Sequence, residues 1–259
     1  MDLKAIAKEV CAISEAAGKV ILDVYAAAEG VEIERKSDNS PLTIADRKAN
    51  AVICEGLEKM DPVFPIVSEE NKEIPYEERK NFTYSWLVDP LDGTKEFIKR
   101  NGEFTVNVAL VHNQRVILGV VHVPVTGETF WAAKGEGAHR ILDGQEEALS
   151  ANAFTLNDAG LRLVCSRSHL NEATQSFVDG FTEPELVSKG SSLKFLLLAQ
   201  NHADIYPRLA PTMEWDTGAA QIILEEAGGK VINDETKEPL LYNKENLLNP
   251  YFVAYGSVK

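Results

Sequence analysis

WLVDPLDGTKEF, residues 86–97, places two aspartates directly after a run of apolar and aromatic residues. That run, residues 84–88, predicts a covered β-strand, because continuous apolar character is typical of strands buried on both faces. Pro90 removes a backbone donor, so we expect the strand ladder to stop just after Asp89. Asp89 is therefore expected at the carboxyl end of a strand.

The turn after this strand favours a phosphate and a metal ion. Gly93 lets the chain reverse without a Cβ penalty, and residues 94–100 predict a short helix whose first N–H groups suit a phosphate. Asp89 and Asp92 can both face a hard cation, and oxygen ligands without Cys or His favour Mg²⁺ over Zn²⁺. An ordinary Asp-Gly turn is the alternative that this pattern alone leaves open.

Acidic residues follow a second predicted strand in the same half of the chain. Residues 65–67 predict a short strand that runs into Ser68-Glu69-Glu70, which repeats the placement of Asp89. The other β-patterns of this half predict strands at residues 31–35, 105–111, 116–123 and 129–133. We therefore expect a mainly antiparallel sheet in the first half.

Two helices are predicted to accompany this sheet. Residues 2–27 carry apolar side chains at three- and four-residue steps, as in an amphipathic helix. Residues 36–41 are rich in turn formers and predict an exposed loop. Residues 43–46 have the form of a capped helix start, and the helix should continue to about Met60. On spacing alone, Asp46 is best interpreted as a capping carboxylate.

The second half of the chain alternates between strand and helix patterns, which is typical of α/β layering. The predicted elements are strands at residues 161–166, 185–188, 204–208 and 230–233, and helices at residues 171–179, 191–200 and 217–226. Asp216 immediately precedes the last helix, where an N-cap is as good an interpretation as a metal ligand. Residues 143–160 show no strong period, so we place a boundary near residue 150, between a half at 1–150 and a half at 151–259.

The composition is that of an ordinary soluble globular protein. The chain has 259 residues, of which 44% are hydrophobic and 25% charged, enough for a large core. It has no apolar run approaching the roughly 18 residues that a membrane span needs, and its N-terminus lacks the apolar core of a signal peptide. We expect a cytoplasmic protein. Peripheral attachment to the inner face of the cell membrane and the oligomeric state stay open.

The charge excludes one class of partner. Asp and Glu number 40 against 26 Lys and Arg, a formal net charge of −14, so the protein repels nucleic acid polymers. A small anionic substrate would need bound divalent cations to offset this repulsion. Cys11, Cys54 and Cys165 form no C-x-x-C pair, which favours core thiols over a disulfide framework or a zinc site.

Three separated motifs, taken in order along the chain, resemble those of one enzyme superfamily. They are Ser68-Glu69-Glu70, residues 89–94, and Trp215-Asp216 with Ala227-Gly228-Gly229. Together they resemble the lithium-sensitive, magnesium-dependent inositol monophosphatase superfamily over nearly the whole chain. Residues 95–104, 166–169, 190–194 and 206–208 are similar to the bacterial 3′(2′),5′-bisphosphate nucleotidase branch of that superfamily.

The resemblance implies a layered αβαβα sandwich with a metal site between its two halves. It implies two or three Mg²⁺ ions with the ligands Glu69, Asp89, the carbonyl of Leu91, Asp92 and Asp216. Carboxylates that converge in this way repel one another unless cations offset their charge. The resemblance therefore favours functional roles for Asp46 and Asp216 over helix capping.

The resemblance also implies roles around the substrate. It assigns the orientation of the attacking water to Asp46, Glu69 and Thr94, and the phosphoryl oxygens to the amides of Gly93 and Thr94. It implies that the base, ribose and 5′-phosphate are contacted by His169, Ser192, Lys194 and Arg208. It also includes in the substrate site Glu69, Leu91, Asp92 and Asp216. A hydrogen-bonded structural histidine is the alternative for His169.

The function implied is hydrolysis of adenosine 3′,5′-bisphosphate to AMP and phosphate. This reaction would clear the by-product that sulfate assimilation forms from the sulfated nucleotide PAPS. A specificity for inositol monophosphate or another sugar phosphate would share every metal ligand. A non-catalytic metal-binding regulatory protein is the alternative from another class, although no ligand position is lost.

Overall fold

The chain folds into alternating layers of helices and β-sheets. The computed structural model describes residues 1–27, 41–165 and 171–259. Its helices are α1 (Leu3–Ala27), α2 (Pro41–Leu57), α3 (Tyr76–Arg79), α4 (Thr94–Ile98), α5 (Glu172–Val178), α6 (Leu193–Ala199) and α7 (Glu214–Glu226). Its strands are β1 (Ile66–Ser68), β2 (Tyr84–Asp92), β3 (Thr105–His112), β4 (Arg115–Val123), β5 (Glu128–Ala133), β6 (Gly137–Leu142), β7 (Gln145–Ala148), β8 (Ala153–Phe154), β9 (Arg162–Cys165), β10 (Glu185–Ser188), β11 (Ile205–Arg208), β12 (Lys230–Asn233), β13 (Phe252–Tyr255) and β14 (Ser257–Val258).

The first sheet is covered on both faces. Its strands run in the order β1 to β7, with β1 and β2 parallel and the other neighbours antiparallel. Val106, Val108 and Leu110 of β3 pack into the core formed with α1 and α2, whereas Ala109 and Val111 belong to the core on the opposite face. Successive side chains of a strand alternate between faces, which explains why β3 is apolar throughout.

Helices α6 and α7 form the middle layer between the two sheets. The second sheet has the strand order β10-β9-β11-β13-β12. Val164 and Tyr206 belong to the core of the middle layer, whereas Leu163 and Ile205 pack with Val178 of α5 on the outer face. The layers therefore follow one another as the αβαβα sandwich that the sequence predicts.

Helix α7 approaches the first sheet closely at Gly119 of β4. A Cβ atom on Gly119 would lie 2.3 Å from the carbonyl oxygen of Ala219, so a larger residue would force the helix away. The core of this layer joins Leu87 of the first sheet to Ile222 of α7. Because this core takes residues from both sides of position 150, the proposed division into halves stays a prediction.

Several element boundaries differ from those expected. Helix α2 begins at Pro41, two residues before the predicted start. The segment 143–160 holds β7 and β8, although its sequence shows no strand period, and β6, β13 and β14 are not predicted either. The predicted strand 31–35 lies outside the described residues, as does the predicted loop up to residue 40.

The cysteines and the helices bear on two further predictions. Cys11 and Cys165 are buried free thiols and Cys54 is a half-buried one, as expected of core side chains. In the part of the chain that the structure describes, no helix has the length and apolar character of a membrane span.

Candidate active site

The end of β2 carries two acidic side chains across a bulge. Between Asp89 and Asp92 the register with β3 shifts, because Pro90 and Leu91 together stand opposite one residue. The strand therefore continues to Asp92, and the prediction that it stops after Asp89 is wrong. A bulge is one of the few places where a sheet tolerates proline, since the missing N–H interrupts no ladder bond there.

Three carboxylates from three separate elements converge beside this bulge. Glu69 follows β1, Asp89 lies on β2, and Asp216 lies in the first turn of α7. One oxygen from each lies within 4.8 Å of the others, a spacing at which the three can share a cation. Glu69 is exposed, Asp216 is half-buried and Asp89 is 1% exposed.

The electrostatics of this cluster favour a bound cation. Burial raises the pKa of Asp89 well above its usual value, and the charges of Asp92, Glu69, Asp216 and Asp46 raise it further. Burial, followed by the charge of Asp216, raises the pKa of Asp92 to about 6. Asp89 and Asp92 therefore bind protons more readily than free carboxylates do, and a divalent cation can replace those protons.

Hydrogen bonds hold one oxygen of each buried or half-buried ligand. The Leu91 N–H donates to Asp89 Oδ1 at 3.0 Å. Asp216 Oδ2 accepts from Thr212 Oγ1 at 2.6 Å and from the Met213 N–H at 2.9 Å. Donors of this kind orient a metal-binding carboxylate and leave its second oxygen for the ion.

The start of α4 borders the cluster as the sequence predicts. Gly93 adopts φ 101°, and a Cβ atom there would lie 2.9 Å from the carbonyl oxygen of Glu103. Thr94 is the first residue of α4, so its N–H has no acceptor within the helix. Asp46 is buried on α2, which packs against α4, and its charge reaches Asp89.

A cleft of about 580 Å³ opens next to Asp92 and Gly93. Its lining combines basic side chains with apolar and aromatic ones and two acids: Lys95, Lys99, Lys189, Lys194 and Arg208, with Phe195, Tyr206 and Leu209, and Glu96 and Glu103. Asp216 also lines it, so Asp92 and Asp216 border the same space as these cations. Such a cleft suits an anionic molecule with an aromatic part.

Lys194 and Arg208 are held in place by the protein. Lys194 Nζ donates to the Ser191 carbonyl at 3.0 Å and lies 5.7 Å from the centre of the Tyr206 ring. Burial lowers the pKa of Lys194, Asp92 raises it, and Arg208 lowers it again. Arg208 Nη2 donates to the Pro211 carbonyl at 2.7 Å, and its buried Nε finds no acceptor among the described residues. An anion in the cleft would satisfy both cations.

Comparison with known proteins places this site in a family. Residues 2–252 match the model of the inositol monophosphatase family. The chain belongs to the inositol monophosphatase family. It is 42% identical over 246 residues to the 3′(2′),5′-bisphosphate nucleotidase CysQ of Salmonella typhimurium. The alignment covers 95% of this chain and 97% of that protein.

Solved structures of the family share the fold. The crystal structure of CysQ from Bacteroides thetaiotaomicron is 41% identical, with a TM-score of 0.87 over 100% of this chain and 99% of that one. The inositol monophosphatase from Anabaena is 25% identical, with a TM-score of 0.75 over 99% of this chain and 92% of that one. The predicted superfamily and the predicted fold are confirmed.

Two of the side chains that the sequence assigns to the nucleotide need comment. The resemblance implies Ser192 as a nucleotide contact, which stays a prediction, and its buried hydroxyl bonds to Asp92. The adjacent Ser191 lines the cleft, and its buried hydroxyl has no partner in the described part of the chain. His169 lies outside the described residues.

Helix α7 and two further side chains refine the picture of the metal site. The sequence places Asp216 just before a helix, but α7 already begins at Glu214, and Asp216 accepts a bond from the Met213 N–H as the third residue of the helix. Thr212 and Asn107, which bond to the candidate ligands Asp216 and Asp92, were not found from the sequence because their residue types carry no metal signal.

Proposed function

We propose that this protein is a Mg²⁺-dependent phosphatase that removes the 3′-phosphate of adenosine 3′,5′-bisphosphate and leaves AMP. The observation that carries the proposal is the cleft whose lining includes the carboxylates Asp92 and Asp216 together with the cations Lys194 and Arg208. Two anionic groups of one substrate can therefore be bound separately. The 42% identity to a 3′(2′),5′-bisphosphate nucleotidase supports the same substrate.

The proposal includes two or three Mg²⁺ ions, and the acidic cluster supports a bound metal. The proposed ligands are Glu69, Asp89, the Leu91 carbonyl, Asp92 and Asp216. They offer only oxygen, and Asp89 is a buried acid whose pKa is raised by its carboxylate neighbours, as a cation site requires. Bound Mg²⁺ would supply positive charge at the phosphate and acidify a water molecule.

The protein groups around the ions would position the reactants. Glu69 and the Thr94 hydroxyl would orient the water, with Asp46 acting on Thr94 across the contact between α2 and α4. The amides of Gly93 and Thr94 would hold phosphoryl oxygens, because they start a helix. No covalent phospho-enzyme is part of this scheme.

The other end of the cleft would bind the nucleotide. Lys194 and Arg208 would pair with the 5′-phosphate, which is not cleaved and needs fixed cations. Apolar and aromatic residues beside them, Phe195 and Tyr206, give the base and ribose an apolar surface. His169 is part of the proposal on the resemblance alone.

Phosphate release and product identity test the proposal together. The purified protein is given adenosine 3′,5′-bisphosphate in the presence of Mg²⁺ or of a chelator, and the mononucleotide product is separated by chromatography. We expect phosphate and 5′-AMP with Mg²⁺ and no turnover with the chelator. A 3′-AMP product would refute the assignment of the cleft's two ends.

Inositol 1-phosphate is the matched comparison substrate. A higher kcat/KM on inositol 1-phosphate than on the bisphosphate would favour an inositol monophosphatase, which would use the same metal ligands. Absence of turnover on both, with Mg²⁺ still bound, would favour a non-catalytic metal-binding protein.

A cytoplasmic location belongs to the same proposal. Cell fractionation tests it, and protein released from membranes by salt would instead indicate peripheral attachment. The oligomeric state stays open, and light scattering of the purified protein would determine it.

A further inference from the structure

We propose that Ser192 is a positioning residue for Asp92, a proposed metal ligand. The inference rests on the proposed function. Ser192 is the N-cap residue of α6 and is 1% exposed. Lys194 lies on the same helix and lines the nucleotide cleft.

The Ser192 hydroxyl meets three polar groups from three other elements. Its Oγ lies 2.9 Å from Asp92 Oδ2 on β2, 2.7 Å from Asn107 Nδ2 on β3 and 3.1 Å from the Asp216 carbonyl oxygen on α7. Two of these elements carry proposed metal ligands. One hydroxyl therefore joins α6 to both sides of the metal site.

The hydrogen-bonding roles in this group follow from the donor inventory. Thr105 Oγ1 donates to Asn107 Oδ1 at 3.2 Å, which orients the amide so that Nδ2 donates to Ser192. Ser192 then has one hydrogen to give, and a carboxylate is a stronger acceptor than a peptide carbonyl. The hydrogen therefore goes to Asp92 Oδ2, which leaves Asp92 Oδ1 for a cation.

The ordinary role of a serine at this position does not account for the contact. A serine N-cap usually accepts a bond from the backbone of the first helical turn, which stabilises the helix. Ser192 makes no such bond. Its hydroxyl is used for Asp92 instead, so its removal should affect the metal ligand more than the helix.

The neighbouring serines provide a matched pair of variants. Ser192→Ala removes the hydroxyl bond to Asp92 and keeps the backbone N–H of residue 192, whereas Ser191→Ala removes a hydroxyl that bonds no described residue. Mg²⁺ binding to each variant is measured by calorimetry without substrate, and kcat, KM and melting temperature are measured alongside. Loss of an orienting partner typically weakens metal binding by about 10- to 100-fold.

We expect that weakening, with a reduced kcat, in Ser192→Ala, and a KM for the bisphosphate within about twofold of the original. Ser191→Ala should keep the Mg²⁺ affinity of the unmodified protein. Asn107→Ala should weaken Mg²⁺ binding in the same direction, because Asn107 Nδ2 bonds both Ser192 Oγ and Asp92 Oδ2.

Unchanged Mg²⁺ affinity in a folded Ser192→Ala variant would overturn the inference, as would equal weakening in Ser191→Ala. Should Ser192→Ala fail to fold, unchanged Mg²⁺ affinity in Asn107→Ala would overturn it.

Calorimetry needs no turnover. A protein that binds Mg²⁺ through Ser192 but releases no phosphate would therefore refute the proposed function and leave this inference standing.

Discussion

Replacement of Arg208 by alanine tests whether nucleotide binding and metal binding in the cleft depend on different residues. Arg208 contributes a guanidinium whose Nη2 is fixed on the Pro211 carbonyl and whose Nε has no acceptor among the described side chains and backbone. Lys194 lies close enough for Arg208 to lower its pKa. We propose that the 5′-phosphate binds between these two cations, and Arg208→Ala removes one of them.

The expected loss can be estimated from the burial of the site. Removal of one partner of a buried charged pair costs about 2–5 kcal/mol, and about 1.4 kcal/mol corresponds to a tenfold change in rate. Arg208 is half-buried, so water screens part of the interaction and the lower end applies. We expect kcat/KM for adenosine 3′,5′-bisphosphate to fall by about 30- to 100-fold.

The assay compares two substrates in one variant. Inositol 1-phosphate has no second phosphate, so its hydrolysis should change little in Arg208→Ala, and the ratio of the two kcat/KM values should move toward one. Arg208→Lys keeps a positive charge and should lose less on the bisphosphate. An equal loss on both substrates would refute the reasoning, because it would mean that Arg208 supports the fold or the metal site.

Three further predictions concern the metal ligands and one buried histidine. Asp92→Asn should lower kcat by orders of magnitude, since metal charge contributes several kcal/mol, and near-normal turnover in saturating Mg²⁺ would contradict its role. Mg²⁺ should raise the melting temperature more at pH 7.5 than at pH 5.5, because Asp92, with a pKa of about 6, is mostly protonated at the lower pH; equal shifts would count against the cluster. Burial lowers the pKa of His122 from 6.5 to about 4. As the pH is lowered, the unfolded chain therefore takes up this proton before the folded protein does, and the free energy of unfolding decreases. Urea denaturation should show about 2 kcal/mol lost between pH 6.5 and pH 5, and His122→Gln should abolish that component.

The strands and the acidic residues after them were predictable from local sequence. Continuous apolar runs identify β3 and β4, because both faces of the first sheet are covered. Glu69 follows β1 as expected. The approach of Asp216 to Glu69 depends on how α7 packs against the first sheet, which residue periodicity does not encode. Resemblance to a family provided that long-range information.

Three details could not be predicted because the local signals compete. Pro41 is a favoured first residue of a helix, but the capping pattern that follows it suggested a later start for α2. Pro90 usually ends a ladder, yet a bulge accommodates it. Ser191 adopts φ 41°, and Ser191, not Ser192, lines the cleft. Tertiary packing sets all three.

The close contact between Gly119 and α7 has a consequence during synthesis. About 100 residues separate the end of β4 from the end of α7, which is roughly 5 to 20 seconds of translation. During that interval, the face of the first sheet that carries Leu87 and Ala109 has nothing to cover it, although both side chains end almost fully buried. We expect the nascent chain to present an apolar surface to chaperones until α7 emerges and docks.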